Sequence, residues 1–331
     1  MLIRWIPPRS RDTYLWADFV ELLCLTSPDG FISRSDLLDR LHDSRDLGEV
    51  TAIEATPPRE DEDALDSDLI ATTELVDVGP AKGTVLLASD VFDHIAYRAT
   101  LLGASYPFRL RKGRSAIDRK RIVRKHHLYL FLLLAASLPR IPKKWYPVVT
   151  RSFERTVEVA LRRWLPSSAK VHVFGTSGSA TSRYRGRLYA KLTLLSSDLA
   201  ERLLVTEDDL RRTDVGDTGA DVVAWLSLGD KNSSRLIILA QAACGLNWVK
   251  KQHESGGETW NEIMRFTAPH TNVVAIPYFF RRNNGDWAAQ RKIHGSVLID
   301  RPRLMWLFRR ALPDLPRDAL KDLIASRVAL V

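Results

Sequence analysis

Cysteine is nearly absent from this chain: its 331 residues include only Cys24 and Cys244, more than 200 positions apart. This excludes a disulfide framework and a thiolate zinc site, which both need grouped cysteines. A long apolar run is missing too. The opening Met1-Leu2-Ile3-Arg4-Trp5-Ile6-Pro7-Pro8 lacks the apolar core of a secretory signal. The most apolar stretch, Leu128 to Leu138, falls short of the roughly 20 residues that cross a bilayer. Arg and Lys precede it and Pro139 ends it, so it reads as a buried helix. A reduced, soluble, cytoplasmic protein with no membrane partner is expected. No internal repeat is visible.

Two ligand loops are also missing. Gly175-Thr176-Ser177-Gly178-Ser179 follows a strand but has no Gly-Lys-Ser/Thr at the spacing of a phosphate loop. A flexible loop near the substrate is the better reading. Asp29-Gly30-Phe31-Ile32 is placed like part of a calcium loop, but the first ligand position is Leu25, which has no side-chain oxygen.

What the chain does have is positive charge, with a formal net charge of +9. Such a balance favours polyanionic partners. Nine Lys and Arg against one acid, Asp118, lie between Arg109 and Lys125. A helix there would gather much of this charge on one side. Arg109, Arg111, Lys112, Arg114, Lys120, Arg121, Arg124 and Lys125 are the candidate phosphate contacts. The adjacent His126 and His127 point in different directions on a helix, which does not suit a metal site.

The N-terminal part reads as mainly helical. Tyr14 to Leu25 has helical apolar spacing, Ser27-Pro28-Asp29-Gly30 stops it, and a second helix begins near Ser33, with Ser35 or Asp36 as cap. Two helices around a turn suggest a helix-turn-helix or winged-helix module, or plain helical packing. Residues 57–68 are acidic and proline-led, as in an exposed loop. Gly83 to Leu87 reads as a strand, and Ser89 as the cap of another helix. Three prolines between Pro139 and Pro147 mark a linker. The expected domains are therefore 1–145, binding nucleic acid or a partner, and 146–331.

The second part reads as a layered α/β domain. Ser152 to Leu165 is a helix, Lys170 to Phe174 a strand, and Leu188 to Leu204 a helix. Two strands follow, then a helix at Trp248 to Gln252, strands at Asn272 to Phe280 and Gly295 to Ile299, and closing helices at Arg303 to Arg310 and Pro316 to Ser326. The two consecutive strands carry the chemistry. Gly216-Asp217-Thr218-Gly219-Ala220 delivers Asp221 into an apolar strand, and Leu236 to Ala240 leads to Gln241 on the next. Magnesium prefers such carboxylate and amide oxygens. Asp221 and Gln241 are the candidate Mg²⁺ or Mn²⁺ ligands, with Glu154 or Glu158 as a third. Cys244 beside Gly245 reads as a small buried residue, and His253, Glu254 and Glu258 as solvated loop residues.

These residues resemble the Mrr-like restriction endonucleases within the PD-(D/E)xK nuclease superfamily. Gly216-Asp217-Thr218-Gly219-Ala220-Asp221 fits the G-D-x-G-x-D pattern, Gln241-Ala242-Ala243 aligns with (E/Q)-x-K, and Phe153-Glu154 is similar to the Phe-Glu that opens the first core helix. The resemblance covers roughly residues 150–260. It implies a restriction-endonuclease-like sheet flanked by helices and Mg²⁺-dependent DNA cleavage, with Asp221 as metal ligand and Asp217 supporting it. The family's lysine is replaced here by Ala243. Some members move it to the neighbouring helix, where this chain has Lys250 and Lys251. The implied function is a DNA endonuclease of a bacterial restriction or phage-defence system, working with other subunits or as a homodimer. The alternative is a catalytically inactive nuclease-fold subunit that binds nucleic acid or scaffolds a complex. A transcriptional regulator using the N-terminal helices is a third reading.

Overall fold

The computed structural model describes residues 7–8, 10–41, 80–175, 182–210 and 218–325. The acidic segment 57–68, the loop 176–179 and the motif residues Gly216 and Asp217 lie outside them. Two compact units divide first between Lys143 and Lys144. Tyr278–Ala288 and the helix that begins at Arg317 belong with the first unit, so the second comprises Lys144–Pro277 and Ala289–Pro316.

The first unit opens with helix α1 (Thr13–Thr26), strand β1 (Phe31–Ser33) and helix α2 (34–41). Ser33, rather than Ser35 or Asp36, caps α2. Its hydroxyl accepts from the Asp36 N–H at 3.1 Å, while the Asp36 carboxylate accepts from the Ser33 N–H at 2.8 Å. This reciprocal pair satisfies donors that a helix start leaves open. Helix α3 (Pro80–Leu102) is continuous and includes the stretch Gly83–Leu87, expected as a strand. Thr84, Ala88, Val91, Phe92, Ile95 and Arg98 form its buried stripe. Their three- and four-residue spacing is helical and outweighs the local β-branched and glycine content.

The basic stretch is not a helix. Strands β2 (Phe108–Leu110) and β3 (Ala116–Arg119) pair antiparallel, Arg109 opposite Asp118, across a loop where Gly113 has φ +67°. Phe108, Ala116 and Ile117 are buried while Arg109 is exposed, so these apolar positions decided the structure and the charge followed. The sheet order is β1-β3-β2, antiparallel throughout. Helix α4 (His127–Ala135) is buried at every position from Leu128, as expected of the apolar run.

A charge cluster ties these helices together. Arg98 is fully buried. Its guanidinium lies 2.6 Å from Asp18 and 3.0 Å from Glu21 and donates to the Tyr14 carbonyl at 2.8 Å. The Tyr106 and Tyr129 hydroxyls each donate to Glu21 at 2.6 Å.

The second unit is built on a five-stranded mixed sheet. Helix α5 (Tyr146–Trp164) starts six residues before the expected Ser152 and places Pro147 in its first turn, where the missing N–H costs nothing. Strand β4 (Ala169–Val173), helix α6 (Leu188–Leu199) and the short strand β5 (Arg202–Leu203) follow. Helix α6 stops at Ala200, which is left-handed at φ 56°, and not at Leu204. Next come β6 (Val222–Leu226), β7 (Ile237–Ala242), α7 (Trp248–Lys251), α8 (Gly257–Ile263), β8 (Met264–Arg265), β9 (Thr271–Ala275), β10 (Val297–Ile299) and α9 (Arg301–Leu307). The sheet order is β10-β9-β7-β6-β4. Strand β6 is antiparallel to both neighbours, whereas β7, β9 and β10 run parallel. Helix α5 packs on β4, β6 and β7, which brings its inner face to the strands that carry the motif. No helix among the described residues is long and apolar enough to cross a membrane.

Candidate functional site

Register builds the site. Val222 pairs with Ala240, so Asp221, one residue earlier, comes level with Gln241, one residue later. The Asp221 carbonyl accepts from the N–H groups of Phe174 and Gly175 at 2.7 and 3.1 Å, which fixes it to the end of β4. Its Oδ2 accepts from the Ala242 N–H at 2.7 Å. Asp221 is therefore held by both neighbouring strands.

Gly175 shows where the other oxygen goes. A Cβ at Gly175 would lie 3.1 Å from Asp221 Oδ1 and 3.4 Å from Glu154 Oε2. Carboxylate oxygens from α5 and from the entry to β6 thus face one small space, kept open by the absent side chain. Of the two glutamates considered on α5, Glu158 is committed elsewhere, as it pairs with Arg162 at 2.9 Å. Glu154 is the one turned inward, 9% exposed.

Gln241 is 5% exposed, and its Nε2 donates to Glu254 Oε2 at 2.8 Å. A carboxylate only accepts, so this bond fixes which end of the amide faces Glu254. Gln241 Oε1 is left buried with no hydrogen-bond partner among the described residues. An orphaned buried acceptor costs about 1–3 kcal/mol unless something binds it. Together with the two converging carboxylates it makes an all-oxygen donor set suited to a hard divalent cation. No three His, Cys, Asp or Glu side chains gather as a ligand group among the described residues. The set here has two carboxylates and one amide.

Glu254 is exposed, as expected of a solvated loop residue, and its carboxylate also reaches back to Gln241. Gly219, at φ +82°, makes the approach possible: a Cβ there would lie 2.4 Å from Glu254 Cβ and 2.6 Å from its carbonyl carbon and oxygen. Gly219→Ala is expected to cost about 1–3 kcal/mol of stability through backbone strain and overlap. Urea unfolding monitored by circular dichroism would read that loss, and an unchanged midpoint would contradict the packing.

Cys244 reports on the surrounding charge. Burial pushes its thiol far up, Asp221 and Glu154 push it further, and Lys251 opposes them. These four side chains share one electrostatic neighbourhood, and the thiol stays protonated, as a small buried residue rather than a nucleophile. Lys251 is half-buried while Lys250 is exposed. Of the two lysines weighed on α7, Lys251 has its charge felt at Cys244.

Of the eight expected phosphate contacts of the first unit, four make bonds within the protein. Arg109 and Arg111 lie 3.7 and 2.7 Å from Asp118, and Arg114 pairs with Asp93. Lys120 donates to the Tyr106 carbonyl at 2.9 Å. Lys112, Arg121, Arg124 and Lys125 are exposed. A cavity lined by Glu201, Arg202, Arg265 and Thr267 lies by the separate two-stranded sheet β5-β8, and Glu201 there accepts from Ser234 and Thr267. That arrangement reads as structural.

Comparison with protein-family models, with curated proteins and with solved structures finds no match to this chain.

Proposed function

We propose that the second unit is a metal-dependent DNA endonuclease domain with a restriction-endonuclease-like sheet. The observation that carries this reading is the convergence of Asp221 and Glu154 on Gly175 beside the orphaned Gln241 Oε1. Asp221, Glu154 and Gln241 would hold Mg²⁺ or Mn²⁺. When bound, such an ion polarises a phosphodiester and lowers the pKa of a water. Glu254 orients the Gln241 amide, and Gly175 keeps the space between the carboxylates open. Lys251 supplies the positive charge that Ala243 does not, and orients the attacking water or steadies the phosphate. Setting within a bacterial restriction or phage-defence system follows from the motif resemblance.

The element order α1-β1-α2-α3-β2-β3 and the sheet order β1-β3-β2 support a winged-helix reading of the first unit. Helix α3 would be its reading helix. It presents Val85, Leu86, Asp90 and Leu101 to solvent, an apolar and acidic face with no exposed Lys or Arg among its described side chains. A phosphate-lined groove repels such a face, so a partner protein suits it better than a promoter does.

The first test is incubation of supercoiled plasmid with the full chain in Mg²⁺, Mn²⁺ or EDTA. Relaxed or linear product is expected only with metal. The second reading, an inactive nuclease-fold subunit, is favoured by Ala243, and it predicts salt-sensitive DNA binding without product in any of the three. Lys251→Ala is expected to slow cleavage by roughly 10²-fold, as the loss of a group that stabilises transition-state charge does. Lys250→Ala is expected to change binding more than turnover. The reverse ranking in single-turnover rates would contradict the assignment of Lys251.

A further inference from the structure

Gln252 is a fully buried amide, one residue past α7. Its Nε2 donates to the carbonyls of Val249 and Lys292 at 2.7 and 2.9 Å. Its Oε1 accepts from the His294 N–H at 2.9 Å and from the Ser296 hydroxyl at 3.1 Å. All four hydrogen-bonding positions of the amide are used. Two segments far apart in sequence, the end of α7 and residues 290–296, are thereby joined at one point.

The surface of that joint carries three cations: Lys250 comes from the first segment, and Arg291 and Lys292 from the second, with His253 and His294 between them. Lys250, His253, Arg291 and His294 are exposed, and Lys292 is half-buried. The His253 and His294 rings lie nearly parallel, with centroids 6.1 Å apart. This shows that the two segments meet side by side at the surface. Of the acids next to it in the chain, Glu254 is exposed and accepts from Gln241 through one oxygen, and Glu258 sits exposed in the first turn of α8. The rim joins the site through the chain: Glu254 follows His253, and Lys251 follows Lys250.

We propose that this rim seats the phosphate backbone of duplex DNA next to Asp221, Glu154 and Gln241. The inference rests on the nuclease reading and adds the place where the substrate lies. It moves the main phosphate-binding surface from the first unit, where the sequence put it, to the second. A rim fixed by a buried amide needs little ordering when DNA arrives, which lowers the cost of binding.

The test is fluorescence anisotropy of a labelled duplex with the full chain in EDTA, where no cleavage is needed. Arg291→Gln/Lys292→Gln leaves the backbone groups bonded to Gln252 in place. It is expected to weaken binding about tenfold at moderate salt and to reduce the salt slope by about 1.8, at roughly 0.9 per lost phosphate contact. Lys112→Gln/Arg121→Gln, in the first unit, is expected to change both by much less. Circular dichroism checks that the variants fold. The proposal is overturned if the first-unit pair carries the loss instead, if neither pair changes the slope, or if the wild type does not bind duplex at all. Mn²⁺ binding by the site is measured separately, so failure of the rim and failure of the metal reading can be told apart.

Discussion

Asp221→Asn is expected to abolish metal-dependent cleavage of DNA while leaving the fold intact. The variant keeps an oxygen that can accept from the Ala242 N–H, the bond that ties Asp221 to β7. It removes the charge that faces Glu154 across Gly175. Several kcal/mol of transition-state stabilisation depend on a catalytic ion, and each 1.36 kcal/mol is tenfold in rate, so a loss of roughly 10³-fold or more is expected. Single-turnover cleavage of linear DNA would measure it. Glu154→Gln should act in the same direction and less strongly, because Asp221 remains. Cleavage by Asp221→Asn at the wild-type rate would remove this residue from the chemistry.

Arg98→Met is expected to be the most damaging single change for stability. Arg98 is the cation between Asp18 and Glu21, and all three are buried. Methionine preserves apolar bulk but leaves two carboxylates without that cation in a low-dielectric interior. Breaking a buried pair from one side costs about 3–5 kcal/mol, a large part of the 5–15 kcal/mol that holds a typical domain. The Tyr106 and Tyr129 hydroxyls still donate to Glu21, so the loss should be partial rather than complete. Adding Glu21→Gln to Arg98→Met should recover part of it, since one uncompensated charge is gone. Urea titration of the three proteins reads both effects. An Arg98→Met midpoint equal to wild type would mean that the cluster contributes nothing net.

The sequence made some of this legible and hid the rest, for reasons that can be traced to particular residues. The buried helix at Leu128 was readable because an apolar run between basic residues and a proline has few alternatives. The strands that carry Asp221 and Gln241 were readable because a Gly/Asp turn precedes one apolar strand and a polar amide interrupts the next. The hairpin at Phe108–Arg119 was hidden because its charges are dense enough to fit a helical face, while only a short buried set, Phe108, Ala116 and Ile117, decides the structure. Helix α3 was hidden because Gly83 and the following Val-Leu-Leu read locally as strand, and its buried stripe emerges only over its full length. At the site, Glu154 was a candidate from its helix, but its choice over Glu158 depended on Arg162 one turn later and on β4 bringing Gly175 alongside. Glu254 and Gly219 could not be connected in advance, because their contact joins a turn before β6 to a turn after α7.

The proposed cleavage requires a divalent cation held by Asp221, Glu154 and Gln241. The most direct measurement is titration of the full chain with Mn²⁺, followed by electron paramagnetic resonance, with Mg²⁺ as competitor. Saturable binding that Mg²⁺ displaces is expected, absent in Asp221→Asn and weakened in Gln241→Leu. Lack of saturable binding, or binding that survives Asp221→Asn unchanged, would contradict it.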